Sequence, residues 1–458
     1  MLKRLAQAWF GYFSWPELKK FLMLAAIFFC TIGVYWPLRV TKDSVFNTMI
    51  SLDYQWVAKL VSVAVVFPLV LGYNFLVDQF PRHRVFYVLG GLYTGLLLLF
   101  YFILKDPTYG LSNTEASPFR MLGWTFYVFA ESFGSLMVAL FWSFAADVAT
   151  PKSAKSGYFL VAMGGQVGSI LGSYLTWKYT AGLGTESIVL GCAVFVAMIP
   201  LLIWVMRQVI PENEMAKYQA SSAGEKATDK ASKPKSKTRI GDSIALMFKY
   251  PYLMGIFGVV AFFEIAVTIF DYRFKTIAKS FFSGDALTSY FGFYAVLVNV
   301  VAFIALVGGI GNIGRRLGLK VSLSMLPIAI GVVSLLMYSP HHFGSLFGFE
   351  SPSLTLALSV MVFAKALNYA LNQPSKEQLY IPTTYEAKYK TKAFLEMFGS
   401  RGSKGLGSLF NGAATYFPAY FALASTCIAL GISGVWLLVA LYLGNRHREA
   451  VENDEVVC

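Results

Sequence analysis

Seven cations crowd the stretch KALNYALNQPSKEQLYIPTTYEAKYKTKAFLEMFGSRGSK at 365–404: Lys365, Lys376, Lys388, Lys390, Lys392, Arg401 and Lys404, against the acids Glu377, Glu386 and Glu396. Hydrophobic segments flank it on both sides. Lys365 lies inside one of them, VMVFAKALNYAL, where an ammonium costs a few kcal/mol or more unless water, a partner or a ligand meets it. A positive loop that sets membrane topology accounts for Lys388 to Lys392. It accounts neither for Lys365 nor for the Lys376-Glu377 pair about three helical turns further on. Cations at membrane depth call for an anion.

Other ionisable residues share this placement. Lys42 follows YWPLRV, with Pro37 marking a kink, and Arg39 is placed to snorkel. Lys42 is adjacent to Asp43, and sequence neighbours point to different helix faces, so the two are not expected to neutralise each other. Lys59 lies about one turn inside an apolar segment, where snorkelling explains it nearly as well as binding. Glu131, in WTFYVFAESFGSLMVALFW, is a carboxylate at depth that needs a cation or a proton. Its functional reading pairs it with Lys42 or Lys59 in one state and releases that cation to a substrate in another; a structural interhelical hydrogen bond is the alternative. Glu264 and Asp271 are two turns apart, and Asp271 with Lys275 is an i,i+4 pair that could be only a stabilising contact. The candidate binding residues are therefore Lys42, Lys59, Glu131, Asp271, Lys275, Lys365, Lys376 and Lys388. The aromatic rings of Tyr127, Tyr294 and Tyr369 could stack a base, although helix packing explains any one of them.

The elements that position these residues are membrane helices. The 458 residues are 56% hydrophobic and 14% charged, against roughly 25% charged in soluble domains. About 20 apolar residues cross the bilayer core, which gives twelve expected spans: 20–41, 55–77, 85–104, 119–146, 157–177, 186–208, 250–271, 289–311, 319–339, 353–373, 398–418 and 424–444. The eleventh is the weakest because it is glycine-rich. Lys and Arg concentrate in the connections that follow spans two, four, six and eight and in the tail, placing both termini in the cytoplasm. Residues 1–19 read as a cytoplasmic amphipathic segment. Residues 211–240, rich in Lys, Ser, Ala and Pro, read as a flexible basic linker. It separates a six-span half at 20–210 from another at 241–445, followed by a cytoplasmic tail at 446–458. The net charge of +13 suits anionic lipid and an anionic substrate. The scatter of cations between apolar spans does not suit nucleic acid.

No catalytic constellation emerges. The four histidines fall in connections or the tail, and the four cysteines lack metal or redox spacing. An enzyme is not expected, and neither a cofactor nor a protein partner is implied. Gly164, Gly168 and Gly172 repeat as GxxxG, which predicts close helix packing and lacks the strand and GK[ST] ending of a phosphate loop.

The fold class expected is an all-α integral membrane protein of twelve transmembrane helices in two halves, a layout that resembles the major facilitator superfamily, with alternating access to a midplane site. Lys42 and Lys275, 233 residues apart, hint at duplication of the half. Specific motifs go further. PLRVTKD at 37–43, AK at 58–59, FYVFAESFGSLMVALFW at 126–142 with DVATPKSAKSGY after it, KALNYALNQPSKEQLYIP at 365–382 and KYKTKAFLEMFGSRGSKGLGS at 388–408 resemble the nucleotide transporter family of plastids and intracellular bacteria, the ATP:ADP antiporter type. The resemblance implies exchange of ATP for ADP, or proton-coupled uptake of nucleotides, with essential roles for Lys42, Glu131, Asp271 and, as nearest match, Lys388. Two departures bear on substrate choice: Asp271 stands where the family usually has Glu, and Asn372-Gln373 where it usually has Phe-Asp. The expected mechanism is a rocking of 1–210 against 241–445, with lysines gripping phosphates as mobile point charges. A bacterial cytoplasmic (inner) membrane is expected rather than a plastid envelope. The competing readings are a proton-coupled importer of nucleotides or another organic anion, and, from another class, a membrane enzyme or receptor.

Overall fold

A computed structural model describes residues 15–149, 151–210, 246–308, 318–384, 395, 399–453 and 455–457. The linker at 211–240 and most of the amphipathic N-terminal segment lie outside the described residues. The described chain is helical, without a strand. The long helices are α1 (Trp15–Met49), α2 (Gln55–Gln79), α3 (Arg82–Lys105), α4 (Met121–Val148), α5 (Pro151–Leu183), α6 (Thr185–Val209), α7 (Pro251–Lys279), α8 (Gly284–Val307), α9 (Leu319–Tyr338), α10 (Pro352–Leu379), α11 (Ser400–Tyr416) and α12 (Pro418–Glu452), with a short helix, Pro340–Leu346, between α9 and α10. Eleven of them are long and apolar enough to cross a membrane.

The expected eleventh span is the exception. α11 has 17 residues, and its inward face is small and polar: Ser403, Gly405, Gly407, Ser408, Asn411 and Gly412 are buried while Leu406 and Leu409 are exposed. Glycine and serine lower its hydropathy and let it lie close to α7. A Cβ at Gly407 would sit 3.0 Å from the Ile265 carbonyl oxygen, and Asn411 Nδ2 donates to the Thr268 carbonyl at 3.0 Å.

α10 is not one regular helix. Its α-helical start, Pro352–Leu367, passes into a π turn, Asn368–Asn372, before α-helical geometry resumes at Gln373–Leu379 with Pro374 in its first turn. π turns are rare and concentrate at functional sites.

The chain forms two compact units. Unit 1 comprises Met1–Ser51, Ala64–Lys235 and Ser283–Val296; unit 2 comprises Leu52–Val63, Ser236–Phe282 and Leu297–Cys458. In unit 1, α1 packs along α5 through the GxxxG glycines. Gly164 lies on the Ala25 backbone, Gly168 on Phe29, and Gly172 on Gly33 and Pro37, so that a side chain at any of these positions would strike main chain. The segment Ser283–Val296 is fastened to unit 1 by polar contacts. Asp285 Oδ1 accepts from Thr185 N–H at 3.0 Å and from Thr185 Oγ1–H at 2.6 Å, capping the first turn of α6. Thr288 Oγ1 donates to Ser44 Oγ at 2.6 Å, and Ser289 Oγ donates to the Trp177 carbonyl at 2.6 Å. In unit 2, Leu52–Val63 is held reciprocally: Gly412 lies against the Trp56 ring, Gly405 faces Leu60, and Thr415 Oγ1 donates to the Asp53 carbonyl at 3.4 Å.

Two-thirds of the apolar window is buried in α1 and in α7, and more than half in α4 and α10, compared with a third in α3 and in α6. These buried helices carry Lys42, Glu131, Asp271, Lys275, Lys365 and Lys376, whereas Lys59 lies in α2, where 18% of the window is buried.

Candidate functional site

Among the described residues, each unit holds a buried ion cluster built on the first and fourth helices of its half. In unit 1, α1 supplies Lys42 and Asp43, and α4 supplies Tyr127 and Glu131. Lys42 Nζ donates to Asp43 Oδ1 at 2.9 Å and lies 3.2 Å from Glu131 Oε1. It also lies 4.0 Å from the centre of the Tyr127 ring. Tyr127 and Glu131 are i,i+4 on α4, so ring and carboxylate fall on one face. Arg39, one turn before Asp43, donates to Tyr35 Oη at 3.2 Å and lies over the Trp36 ring. The Lys42–Asp43 bond overturns the expectation that these neighbours do not neutralise each other. Their Cβ directions differ, but the flexible four-carbon stem of lysine spans that difference, and burial of both groups (5% and 7% exposed) makes the pairing mandatory.

In unit 2 the signs are exchanged: the carboxylate sits on the first helix and a cation on the fourth. Asp271 of α7 takes Lys275 Nζ at 2.5 Å on Oδ2 and Lys365 Nζ from α10 at 2.9 Å on Oδ1. Lys59, in the Leu52–Val63 segment of the same unit, acts on Asp271 electrostatically. Asp271–Lys275 is therefore part of a network rather than the plain i,i+4 contact the sequence also permitted. One carboxylate therefore bonds two buried ammoniums, those of Lys275 and Lys365.

Two turns before Asp271, Glu264 belongs to a different group. Its Oε1 accepts from Ser400 Oγ at 2.7 Å and lies 3.5 Å from Lys404 Nζ. Glu264 and Ser400 line a cavity of about 240 Å³ together with Val260, Phe263, Asn372, Gln373 and Lys376. Lys376 is buried at 6% exposure. The structure thus brings Lys42 together with Glu131, and Lys275 and Lys365 onto the Asp271 carboxylate with Lys59 acting on it electrostatically, and it places Lys376 in the cavity. Lys388 lies outside the described residues. Of the three tyrosines, Tyr127 carries the Lys42 ammonium, Tyr294 is buried in α8, and Tyr369 is partly exposed in the π turn. Sequence reasoning missed Phe263 and Ser400 as cavity residues. The paired amides and Pro374 in NQPSK were the available signal, but the π turn that directs them has no sequence signature.

A profile of the family described as TLC ATP/ADP transporter matches residues 4–447. The chain is 26% identical to ADP,ATP carrier protein 1 of Chlamydia muridarum over 94% of its own length and 90% of the relative's. It is 25% identical to ADP,ATP carrier protein 1 of Rickettsia conorii, with 93% of each chain covered. Among solved structures, a bacterial homologue of the iron transporter ferroportin in an inward-facing state superposes with a TM-score of 0.61 at 13% identity, over 93% of this chain and 100% of that one. That likeness shows the fold, which is of the major facilitator type.

Proposed function

The chain belongs to the TLC ATP/ADP transporter family, and from that premise we propose that it exchanges nucleotides, ATP for ADP, by alternating access, with buried lysines binding the phosphates. The carrying observation is the shared carboxylate of unit 2, where Lys275 and Lys365 both bond Asp271. Two buried ammoniums on one carboxylate make a site that a multiply charged anion can enter. A polyphosphate competes with the carboxylate for those ammoniums, and lysine grips it as a point charge whose hold can be released. Exchange follows when the empty carrier, its lysines held by Asp271 rather than by substrate, reorients slowly and the loaded carrier does not. Lys42, Lys59, Lys275 and Lys365 take the phosphate-binding role, with Glu131 and Asp271 as the anions that hold them between substrates. Lys388 is assigned the same role on the family resemblance alone, and Lys376 the role of a donor at the cavity. The moving bodies are residues 1–210 and 241–445, in a bacterial inner membrane with both termini cytoplasmic.

Counterflow tests this reading. Proteoliposomes loaded with ADP are offered labelled ATP, alongside empty vesicles, an uncoupler, and the Lys42→Ala and Lys365→Ala variants. Exchange predicts uptake that requires internal nucleotide, ignores the uncoupler and is lost in both variants. Uptake into empty vesicles that the uncoupler abolishes would replace the reading by proton-coupled import, with Glu131, Glu264 and Asp271 as proton carriers. Each of those acids is already engaged by a lysine, which argues for exchange.

A further inference from the structure

The cavity of unit 2 differs in chemistry from the Asp271 cluster two turns away. The cluster is rich in cations. The cavity walls carry one carboxylate (Glu264), one ammonium (Lys376), two amides (Asn372 and Gln373), one hydroxyl (Ser400) and an apolar edge of Val260 and Phe263. A phosphate there would meet the Glu264 carboxylate. A neutral planar heterocycle would meet donors and acceptors in mixture and a phenyl ring to stack on, a contact open to any nucleobase. Side-chain amides are the groups that read adenine in pairs, taking its exocyclic amine and giving to its ring nitrogen.

A further observation points to a ligand with an N–H donor. Asn372 is 3% exposed; its Nδ2 donates to Asn368 Oδ1 at 2.9 Å, while its Oδ1 has no hydrogen-bond partner among the described residues. A buried acceptor left unmade is costly, and a donor arriving from a ligand satisfies it. The size also fits. At about 240 Å³ the cavity has room for a planar base. Glu264 and Asp271 are seven residues apart on α7, roughly 10 Å at the helical rise per residue. The base and terminal phosphates of an extended nucleotide are separated by a similar distance.

We propose that this cavity is a base subsite that selects adenine, with Asn372 and Gln373 bonding the amino edge of the purine, Phe263 covering its face, and the phosphates directed toward Lys275 and Lys365. The assignment rests on the nucleotide-exchange reading but is tested apart from transport. Equilibrium binding to the purified full chain is measured for ADP, GDP, UDP and pyrophosphate, which has the phosphates without the base. The wild type binds ADP more tightly than GDP or UDP. Asn372→Leu and Gln373→Leu each weaken ADP binding about tenfold or more, the value of a bidentate amide–adenine pair, and leave pyrophosphate unchanged. Should the leucine variants fail to fold, Ser400→Ala and Gln373→Glu probe the same wall and carry the same expectation in direction. A wild type indifferent to the base, or variants in which ADP and pyrophosphate weaken together or not at all, would overturn the subsite. Selective ADP binding without counterflow would keep the subsite and refute exchange.

Discussion

Replacing Asp271 by Asn separates the roles of the unit 2 cluster most sharply, because it removes charge and keeps shape. The carboxylate holds Lys275 at 2.5 Å and Lys365 at 2.9 Å. At an effective dielectric of about 20, each pair is worth about 6 kcal/mol of Coulomb attraction before desolvation is counted. Desolvation offsets most of that, and removing one partner of a buried pair typically costs about 3–5 kcal/mol, since the remaining charge is left uncompensated. Asp271→Asn takes a charged partner from two ammoniums and falls at the upper end. Lys365→Met leaves Lys275 on Asp271 and costs less. Thermal unfolding of the purified protein should rank the variants in that order. Ligand binding should rank them the other way. If Asp271 stands in for substrate phosphate between turnovers, deleting it removes a competitor: Asp271→Asn binds ADP about tenfold more tightly, a gain of about 1.4 kcal/mol, and added ADP restores its stability. Its counterflow slows, because release becomes the difficult step. Lys365→Met binds ADP more weakly. A folded Asp271→Asn variant that binds ADP no better than wild type would refute the stand-in argument, and Asp271→Glu, which keeps the charge, controls for packing.

Tyr127→Leu removes the ring beneath the Lys42 ammonium, a contact worth about 1–2 kcal/mol when desolvated, and should lower thermal stability by that amount, whereas Tyr127→Phe keeps the ring and stays near wild type. Asp285→Ala uncaps the first turn of α6 and should cost about 0.5–2 kcal/mol in the same melt; Asp285→Asn recovers part of it through its carbonyl oxygen. Gly168→Val drives a branched side chain into the Phe29 main chain of α1, so no monodisperse protein should be recovered in detergent, while Gly91→Ala, which meets open space, purifies normally.

The fold was largely legible because a membrane span is written in composition: a run of apolar residues of fixed length has few other uses. α11 shows where that fails. Its glycines and serines, which permit close contact with α7 and Trp56, are the residues that depress its hydropathy, so the feature that packs the helix hides it from a scale built on lipid exposure. Charged residues at depth were equally legible, since their cost singles them out. Their partners were less so. Lys42–Asp43 went against a rule about Cβ directions that holds for short side chains and not for the lysine stem. The division into units was not legible either. Leu52–Val63 sits in unit 2 and Ser283–Val296 in unit 1, held by backbone-directed hydrogen bonds and by glycines, and neither leaves a trace in hydropathy or charge.

The two ion clusters occupy corresponding helices with opposite balance, and that inversion bears on which lysines meet substrate first. Lys42 lies 2.9 and 3.2 Å from two carboxylates. Lys275 and Lys365 share one carboxylate between them. On the proposed reading an arriving polyphosphate meets two acids beside one lysine in the first arrangement and two lysines on one acid in the second. For Lys42 to bind phosphate, Glu131 or Asp43 must first move away, and Glu131, whose side chain is 37% exposed while that of Asp43 is 8% exposed, is the one with water at hand to accept it. On that reading unit 2 is the standing anion site and unit 1 a conditional one, which turns on only when the α4 carboxylate lets go. Loss of Glu131 should then act on the two functions differently. Glu131→Gln frees part of the charge on Lys42 and favours nucleotide binding. It also removes the anion that replaces the nucleotide when it leaves, so turnover in counterflow falls while affinity rises. Equal losses in both, or loss of affinity alone, would show that Glu131 serves only to hold α1 and α4 together.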